Sequence, residues 1–429
     1  MVKILVSWVV LTSALCAQTS AATYEKRVAE LEQRLQLLEQ EVRELRAQKA
    51  APAPSAPTVK PVEASPATPP PATLLPSTNI PSDETRLPVS GYMDFHFNKF
   101  RDQPAQLDFH RFVLLFGHSF SNRIKFWSEL ELEHAFVEGR EQKGELELEQ
   151  AYLDFLIKPY FNFRGGMLLT PVGLINERHE PPSYNGVERP FVDTVIIPST
   201  WFDSGAGIFG DLGRGFRYKA YVMSPLDATG FSAEEGLRGG RQKGFQSVIR
   251  NVAHTGRLEY HGLPRLSLGA SFWRGNTGFN VPGVSPRVRV VEVDGRYSVG
   301  RFDFRGEFAR VDMTRAGELN VVLQRETGVN PNIARQMRGF YWESAARVLP
   351  RRFPHDLALF SRYENFDTQF RMSQGFVPLK QFDRTAWVTG ATYYPEPDVA
   401  LKFDYTVVRN RSAIVASERS INFGIGWWF

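Results

Sequence analysis

The last nine residues, Ile421-Asn422-Phe423-Gly424-Ile425-Gly426-Trp427-Trp428-Phe429, constrain the fold more than any other stretch. Large apolar side chains stand at Ile421, Phe423, Ile425, Trp427 and Phe429, while Asn422, Gly424, Gly426 and Trp428 lie between them. Successive side chains of a strand point to opposite faces, so this segment has one greasy face and one polar or small face. A soluble sandwich seldom ends its chain on an aromatic residue in that same phase. In a barrel that crosses a bilayer, by contrast, the final strand pairs with the first and turns its apolar face to lipid. The pattern predicts an all-β protein, a transmembrane antiparallel β-barrel.

Upstream, short alternating runs repeat the theme. Tyr92 to Phe100 sets Asp94, His96 and Asn98 against Met93, Phe95 and Phe97, and Ile124 to His134 sets Lys125, Glu129, Glu131 and Glu133 against Phe126, Leu130 and Leu132. Phe216 to Val222, Arg301 to Phe308 and Leu401 to Val407 do the same. So many charges on one strand face suit a wet lumen with the aromatics facing outward. Strand starts are expected near Val89, Leu107, Ile124, Glu147, Asn162, Trp201, Gly215, Val248, Leu266, Arg287, Arg301, Arg338, Asp356, Arg384, Val399 and Arg419. That is about sixteen strands, an even number as bacterial barrels require. Short turns, such as Ser121 to Arg123 and Ser298 to Gly300, alternate with long loops at Thr170 to Thr200, Ser224 to Gln246, Thr314 to Gln336 and Asn365 to Asp383. A barrel of this size leaves room for an aqueous channel.

Residues 89–429 are therefore the barrel, and three segments precede them. Residues 1–22 combine Lys3, an apolar run from Ile4 to Leu15 and small residues up to Ala22, the form of a secretory signal. The single cysteine, Cys16, lies within it, so a mature chain has no thiol chemistry. Residues 23–48 carry a heptad seam, with Val28, Leu35 and Val42 at a and Leu31, Leu38 and Leu45 at d. Opposite charges at g and the following e, Arg27 to Glu32, Arg34 to Glu39 and Glu41 to Arg46, favour a parallel α-helical coiled coil. Valine at a with leucine at d suits a dimer, whereas two Arg-apolar-x-x-apolar-Glu runs resemble short trimeric coiled coils; a trimer is expected. Residues 49–88 are rich in Pro and Ala and predict a disordered linker. Its roughly forty residues at about 3.1 Å each reach on the order of 120 Å, which places the coiled coil in the periplasm.

Several blocks carry a resemblance. Tyr152-Leu153-Asp154-Phe155, Arg164-Gly165-Gly166-Met167, Thr170-Pro171-Val172-Gly173, Glu188-Arg189-Pro190, Gly207-Ile208-Phe209-Gly210 and Gly240-Arg241-Gln242-Lys243-Gly244 resemble the phosphate-selective porin O and P family. The resemblance implies a homotrimeric outer-membrane porin whose inward loops narrow the pore and whose arginines and lysines draw small anionic solutes through. The terminal Phe429 also resembles the signal read by the barrel-assembly machinery. The added coiled coil departs from the family's plain pattern, and with it comes an expected partner in the cell wall, peptidoglycan.

Candidate pore residues follow. The loop Thr170 to Thr200 is the expected constriction, with Arg178, Glu188 and Arg189; the polar strand faces contribute Arg217, Lys219, Arg257 and Arg305. A second loop, with Arg238, Arg241 and Lys243 and followed by Arg250, is more uniformly basic and would funnel anions or touch lipopolysaccharide. Against them stands an acidic ladder, Glu129, Glu131 and Glu133 facing Glu145, Glu147 and Glu149, which needs compensating cations and predicts a bulge near Glu149 to Ala151. Enzyme signals are poor. Gly205-Ala206-Gly207-Ile208-Phe209-Gly210 has dinucleotide spacing but leads to a turn and not a helix. The eight histidines are scattered, so neither metal nor cofactor is expected. A net charge of +4, dispersed along the chain, argues against nucleic acid. Two other readings fit the same residues: a pore for organic acids or sugars, and a structural tether acting through the coiled coil.

Overall fold

The computed structural model describes residues 89–134, 144–350 and 352–429. The expected signal, coiled coil and linker lie outside the described residues.

Strands form wherever one face alternates apolar with polar. They are β1 (Val89–Phe100), β2 (Gln106–Ser119), β3 (Ile124–Glu133), β4 (Glu145–Lys158), β5 (Phe161–Leu169), β6 (Phe202–Gly213), β7 (Phe216–Met223) and β8 (Ala253–Tyr260) in the first half. The second half holds β9 (Leu266–Asn276), β10 (Arg287–Val299), β11 (Phe302–Met313), β12 (Gln336–Arg347), β13 (Asp356–Arg371), β14 (Asp383–Glu396), β15 (Val399–Asn410) and β16 (Glu418–Trp428). Each pairs antiparallel with its sequence neighbours, and β16 pairs with β1 to close a barrel of sixteen strands. The seam aligns Met93 with Trp427 and Phe97 with Phe423, and the Gly91 and Phe429 backbones exchange both hydrogen bonds at 2.9 and 3.0 Å. Closure leaves no strand edge, which is what allows β-structure in lipid.

The two faces have inverted polarity. Phe272, Trp342, Leu359, Trp387 and Phe423 project outward and are exposed, whereas Glu129, Arg257, Glu292, Glu343, Arg362 and Asp404 are buried on the inner wall. A soluble barrel would do the reverse, because burying charge without a partner costs far more than burying an aromatic ring.

Two boundaries differ from the sequence expectation. The strand expected from Val248 begins at Ala253, and β13 runs on to Arg371 where a loop was expected from Asn365. That extension exists because Phe366 turns inward and stacks on Phe191 of the loop between β5 and β6, with ring centroids 5.1 Å apart. The loop expected from Thr314 to Gln336 also holds a helix, α1 (Ala316–Thr327), which buries Ala316, Leu319 and Leu323. It ends where Gly328 takes a left-handed conformation, φ 76°. The expected bulge is present: Glu129 pairs with Gln150 and Leu130 with Leu148, leaving Glu149 as the extra residue.

Candidate functional site

The loop between β5 and β6, residues 170–201, does not stay at the rim. Its neck is tied by one side chain: Asn176 donates to the Thr170 and Trp201 carbonyls at 2.7 and 2.9 Å and accepts from the Trp201 N–H at 2.7 Å. From there the loop crosses the lumen. Its turn at Pro181–Ser183 packs against β1, β15 and β16, and its turn at Val192–Ile196 packs against β11, β12 and β13.

Charged wall residues hold it there by satisfying loop groups that water would otherwise serve. The Leu174 N–H donates to Glu307 (3.2 Å), Asn185 Nδ2 to Glu343 (2.8 Å), the Val187 N–H to Asp404 (2.8 Å) and the Val192 N–H to Glu364 (3.1 Å). Lys402 and Arg362 donate in turn to the Gly186 and Asn185 carbonyls, at 2.8 and 3.1 Å. Gly186 has φ 83°, a conformation that a side chain would strain, and its backbone runs beside Asp404 and Phe360. An apolar cluster completes the docking: Val192, Ile196 and Ile197 pack with Val290, Val311 and Phe366 of the inner wall.

Two loop groups titrate unusually. Burial opposes charge on His179, but the carboxylates of Glu149 and Glu129, 3.1 and 3.5 Å away, outweigh it and raise the imidazole to about 10. His179 therefore latches the loop as a cation. Burial raises the Asp193 carboxyl to about 8, with the nearby charges of Glu364 and Glu292 adding to the shift. It is wholly enclosed and sits beside Glu307 near Gly173, so it stays protonated at neutral pH.

The cations expected along the path have specific partners. Arg257 is held by Glu259 (2.8 Å), Glu292 (3.3 Å) and Asp294 (2.7 Å), Arg305 by Glu343 (3.0 Å) and Lys219 by Glu177 (2.6 Å). Arg189 donates to the Thr200 hydroxyl at 2.9 Å and Glu188 accepts from His96 and Asn98, each at 3.0 Å. Arg217, near Asp211, keeps an exposed side chain, and Arg178 is partly exposed. In the second loop, Arg238 and Arg241 donate to the Ser199 and Thr200 carbonyls, which fastens that loop to the crossing loop. Lys243 pairs with Glu145 and Glu147, the compensation that the acidic ladder requires, and only Arg250 of this set is exposed.

Arg111 and Arg362 escaped the sequence reading, and so did a third cation that stands apart from them. Arg296 on β10 stands directly opposite Arg305 on β11, and its Nε and Nη2 are buried with no hydrogen-bond partner among the described residues. Arg178 lies close enough to add its own repulsion. The signal was present: a tight turn at Ser298 to Gly300 fixes the register, and counting back from it pairs these two arginines.

With this geometry in hand, the known structures of similar form define a class. The outer-membrane channel DcaP of Acinetobacter baumannii superimposes with a TM-score of 0.54 at 12% identity, covering 80% of this chain and 97% of that one. An anion-selective porin from Comamonas acidovorans gives 0.53 at 13%, covering 80% and 99%. Salmonella typhi OmpF, in a complex with daunomycin, gives 0.53 at 11%, covering 82% and 99%. The fold is that of the outer-membrane porins. No family model matches the chain. An uncharacterized protein of Aquifex aeolicus (strain VF5) is 36% identical over 333 residues, 74% of each chain, and the present chain belongs to its family.

Proposed function

We propose that the chain is a homotrimeric outer-membrane porin that passes small hydrophilic solutes by diffusion and prefers anions, phosphate or a similar oxyanion, in the manner of the phosphate-selective porin O and P family. The observation that carries anion preference is Arg296 opposite Arg305, with Arg178 of the crossing loop beside them. Of these three guanidinium groups only Arg305 has a carboxylate within ion-pair distance among the described residues, Glu343, which also serves Arg362, so positive charge predominates at this place on the wall. A planar guanidinium with free donors suits an oxyanion, and one anion at a time is bound weakly enough to leave. The neighbour described as anion-selective lends support.

The test is single-channel current of the purified full chain in a planar bilayer, under a salt gradient, with phosphate added stepwise. Triplet steps, an anion-selective reversal potential and phosphate block are expected. Arg296→Ala should move the reversal potential towards cation selectivity and weaken phosphate block severalfold, with the barrel still heat-modifiable on gels. A second reading, a structural tether, is favoured by how far the crossing loop fills the lumen, since Glu364 and Arg362 beneath it are almost wholly enclosed. A correctly folded but silent barrel would mean a plugged lumen and favour that reading over the first.

A further inference from the structure

The histidines are scattered in sequence, yet three of the eight gather at one place on the inner wall. On β1, Asp94 and His96 lie two residues apart and face the lumen. On β2, strict alternation would turn His110 outward beside an inward Arg111. A register shift intervenes: Asp94 pairs with Arg111 and Phe95 with Phe109, so His110 is the extra residue. The shift swings its ring inward, with its centroid 4.2 Å from that of His96. His134, which follows β3 with φ 52°, places a third ring 5.6 Å beyond.

The donor atoms have the arrangement of a metal centre. His96 Nε2 and His110 Nδ1 approach the same Asp94 oxygen at 2.8 and 3.5 Å, and one ligand atom from each of the three residues lies within 4.8 Å of the others. Ligands at about 2.0–2.2 Å from a tetrahedral ion stand roughly 3.3 Å apart, the same scale. The opposite ring nitrogens are each backed by a carboxylate: His96 Nδ1 by Glu188 at 3.0 Å and His110 Nε2 by Glu133 at 3.6 Å. This outer ring of carboxylates fixes which nitrogen of a ligating histidine faces the ion. Asp94 is 1% exposed, yet its Oδ1 has no hydrogen-bond partner among the described residues, and neither has His110 Nδ1. An acceptor so deeply buried and unmatched is costly unless something occupies the space. Arg111, opposite Asp94 on β2, pairs with Glu131 (3.3 Å) and Glu133 (3.4 Å) and touches His110 Nε2 at 3.5 Å, but forms no hydrogen bond to Asp94 among the described residues. Four carboxylates, Asp94, Asp108, Glu133 and Glu188, thus surround three imidazoles, and Asp108 with His134 forms a partly exposed pair, 2.7 Å apart, on the way in.

We propose that Asp94, His96 and His110 bind one first-row divalent transition ion, zinc or a close neighbour, in the lumen wall, with Glu133 and Glu188 as orienting carboxylates and a fourth position left to water or a passing solute. Two imidazoles and one carboxylate suit such an ion and not magnesium or calcium, which require oxygen ligands throughout. For His96 to bond both its carboxylates the ring carries both protons, and the ion takes the place of the Nε2 proton. Because Glu188 belongs to the crossing loop, the bound ion would join β1, β2 and that loop at one point. The other histidine–carboxylate group, Glu129, Glu149 and His179, offers one nitrogen only, already occupied by the proton that latches the loop.

The test reads metal and not current, so it is independent of whether the barrel conducts. Zinc is titrated calorimetrically into the untagged full chain in detergent, with magnesium in large excess. One ion per chain is expected, undisturbed by magnesium; His96→Ala and His110→Ala each remove it, and Glu188→Gln weakens it roughly ten- to a hundredfold. Cobalt in the unmodified chain should give the intense visible bands of a four-coordinate site, a readout that needs no variant to fold. The proposal is overturned if the double variant His96→Ala with His110→Ala binds zinc as the unmodified chain does, if magnesium competes equally, if zinc is lost only in His179→Ala, or if cobalt shows the faint spectrum of its hydrated ion.

Discussion

At the scale of single residues, the inner wall is governed by pairing. Arg362, 1% exposed, meets Glu364 at 2.8 Å and Glu343 at 3.2 Å, and removing either carboxylate would strand a buried charge. Asp193 solves the opposite problem by staying neutral, and this makes the crossing loop sensitive to pH. Its carboxyl lies higher in the folded chain than unfolded, so the stability it confers is complete below about 4 and falls progressively until about 8. His179, raised to about 10, contributes fully below its ordinary value near 6.5 and is lost as pH climbs through 10. Both groups therefore loosen the loop on the alkaline side. Asp193→Asn should abolish the first of these losses while leaving the second, so limited proteolysis of the loop should become nearly flat between about pH 4.5 and 6.5 and keep the His179 dependence above that. An unaltered pH dependence in that variant would refute the assignment. Little of this was legible in the sequence. Arg296 could be found by counting from its turn, but the bulge at His110 breaks alternation, and Glu188 reaches His96 across 92 residues, a separation no local pattern records.

At the scale of elements, strands were legible because lipid imposes a harsher rule than water does: one face apolar, the other polar, over each span. Loops obey no such rule, and the misjudged boundaries lie where loops borrow from strands. Phe366 extends β13 in order to meet Phe191, and α1 hides its apolar positions Ala316, Leu319 and Leu323 in a segment read as irregular. The helical spacing of these three was available as a signal. The crossing loop is best tested at its neck. Asn176 is completely buried and its amide makes three hydrogen bonds to the backbone of Thr170 and Trp201. Asn176→Ala leaves the Trp201 N–H unmatched, at a cost of about 1–3 kcal/mol, while the Thr170 and Trp201 carbonyls keep the Val172 and Thr170 N–H groups as donors. The barrel should still form and the loop should lose its hold, giving a noisier and larger single-channel conductance. Unchanged current with unchanged proteolysis would show that the wall contacts alone retain the loop.

At the scale of the whole molecule, everything depends on one seam. The terminal strand was the clearest feature of the sequence, and the structure gives the physical reason: β16 and β1 must satisfy one another's backbone groups before either can remain in lipid. Gly91 lies at the end of that seam. A Cβ added there would come 2.2 Å from the Val113 carbonyl oxygen on β2 and 2.7 Å from the Phe429 ring, so both neighbours are pressed at once. The ring is able to rotate away, whereas the carbonyl belongs to the β1–β2 pair and moves only with the backbone. Gly91→Ala should accordingly lower stability by roughly 1–3 kcal/mol and reduce the heat-modifiable fraction after refolding. Phe429→Ala alone should lose its packing against Phe112, whose ring centroid lies 6.1 Å away, yet keep the paired backbone bonds to Gly91. Combining the two separates the causes. If the ring were the obstacle, the double variant would recover the stability lost at Gly91; because the carbonyl is the rigid neighbour, the double variant should be at least as unstable as Gly91→Ala, and urea unfolding of the refolded barrel in detergent reads the difference directly.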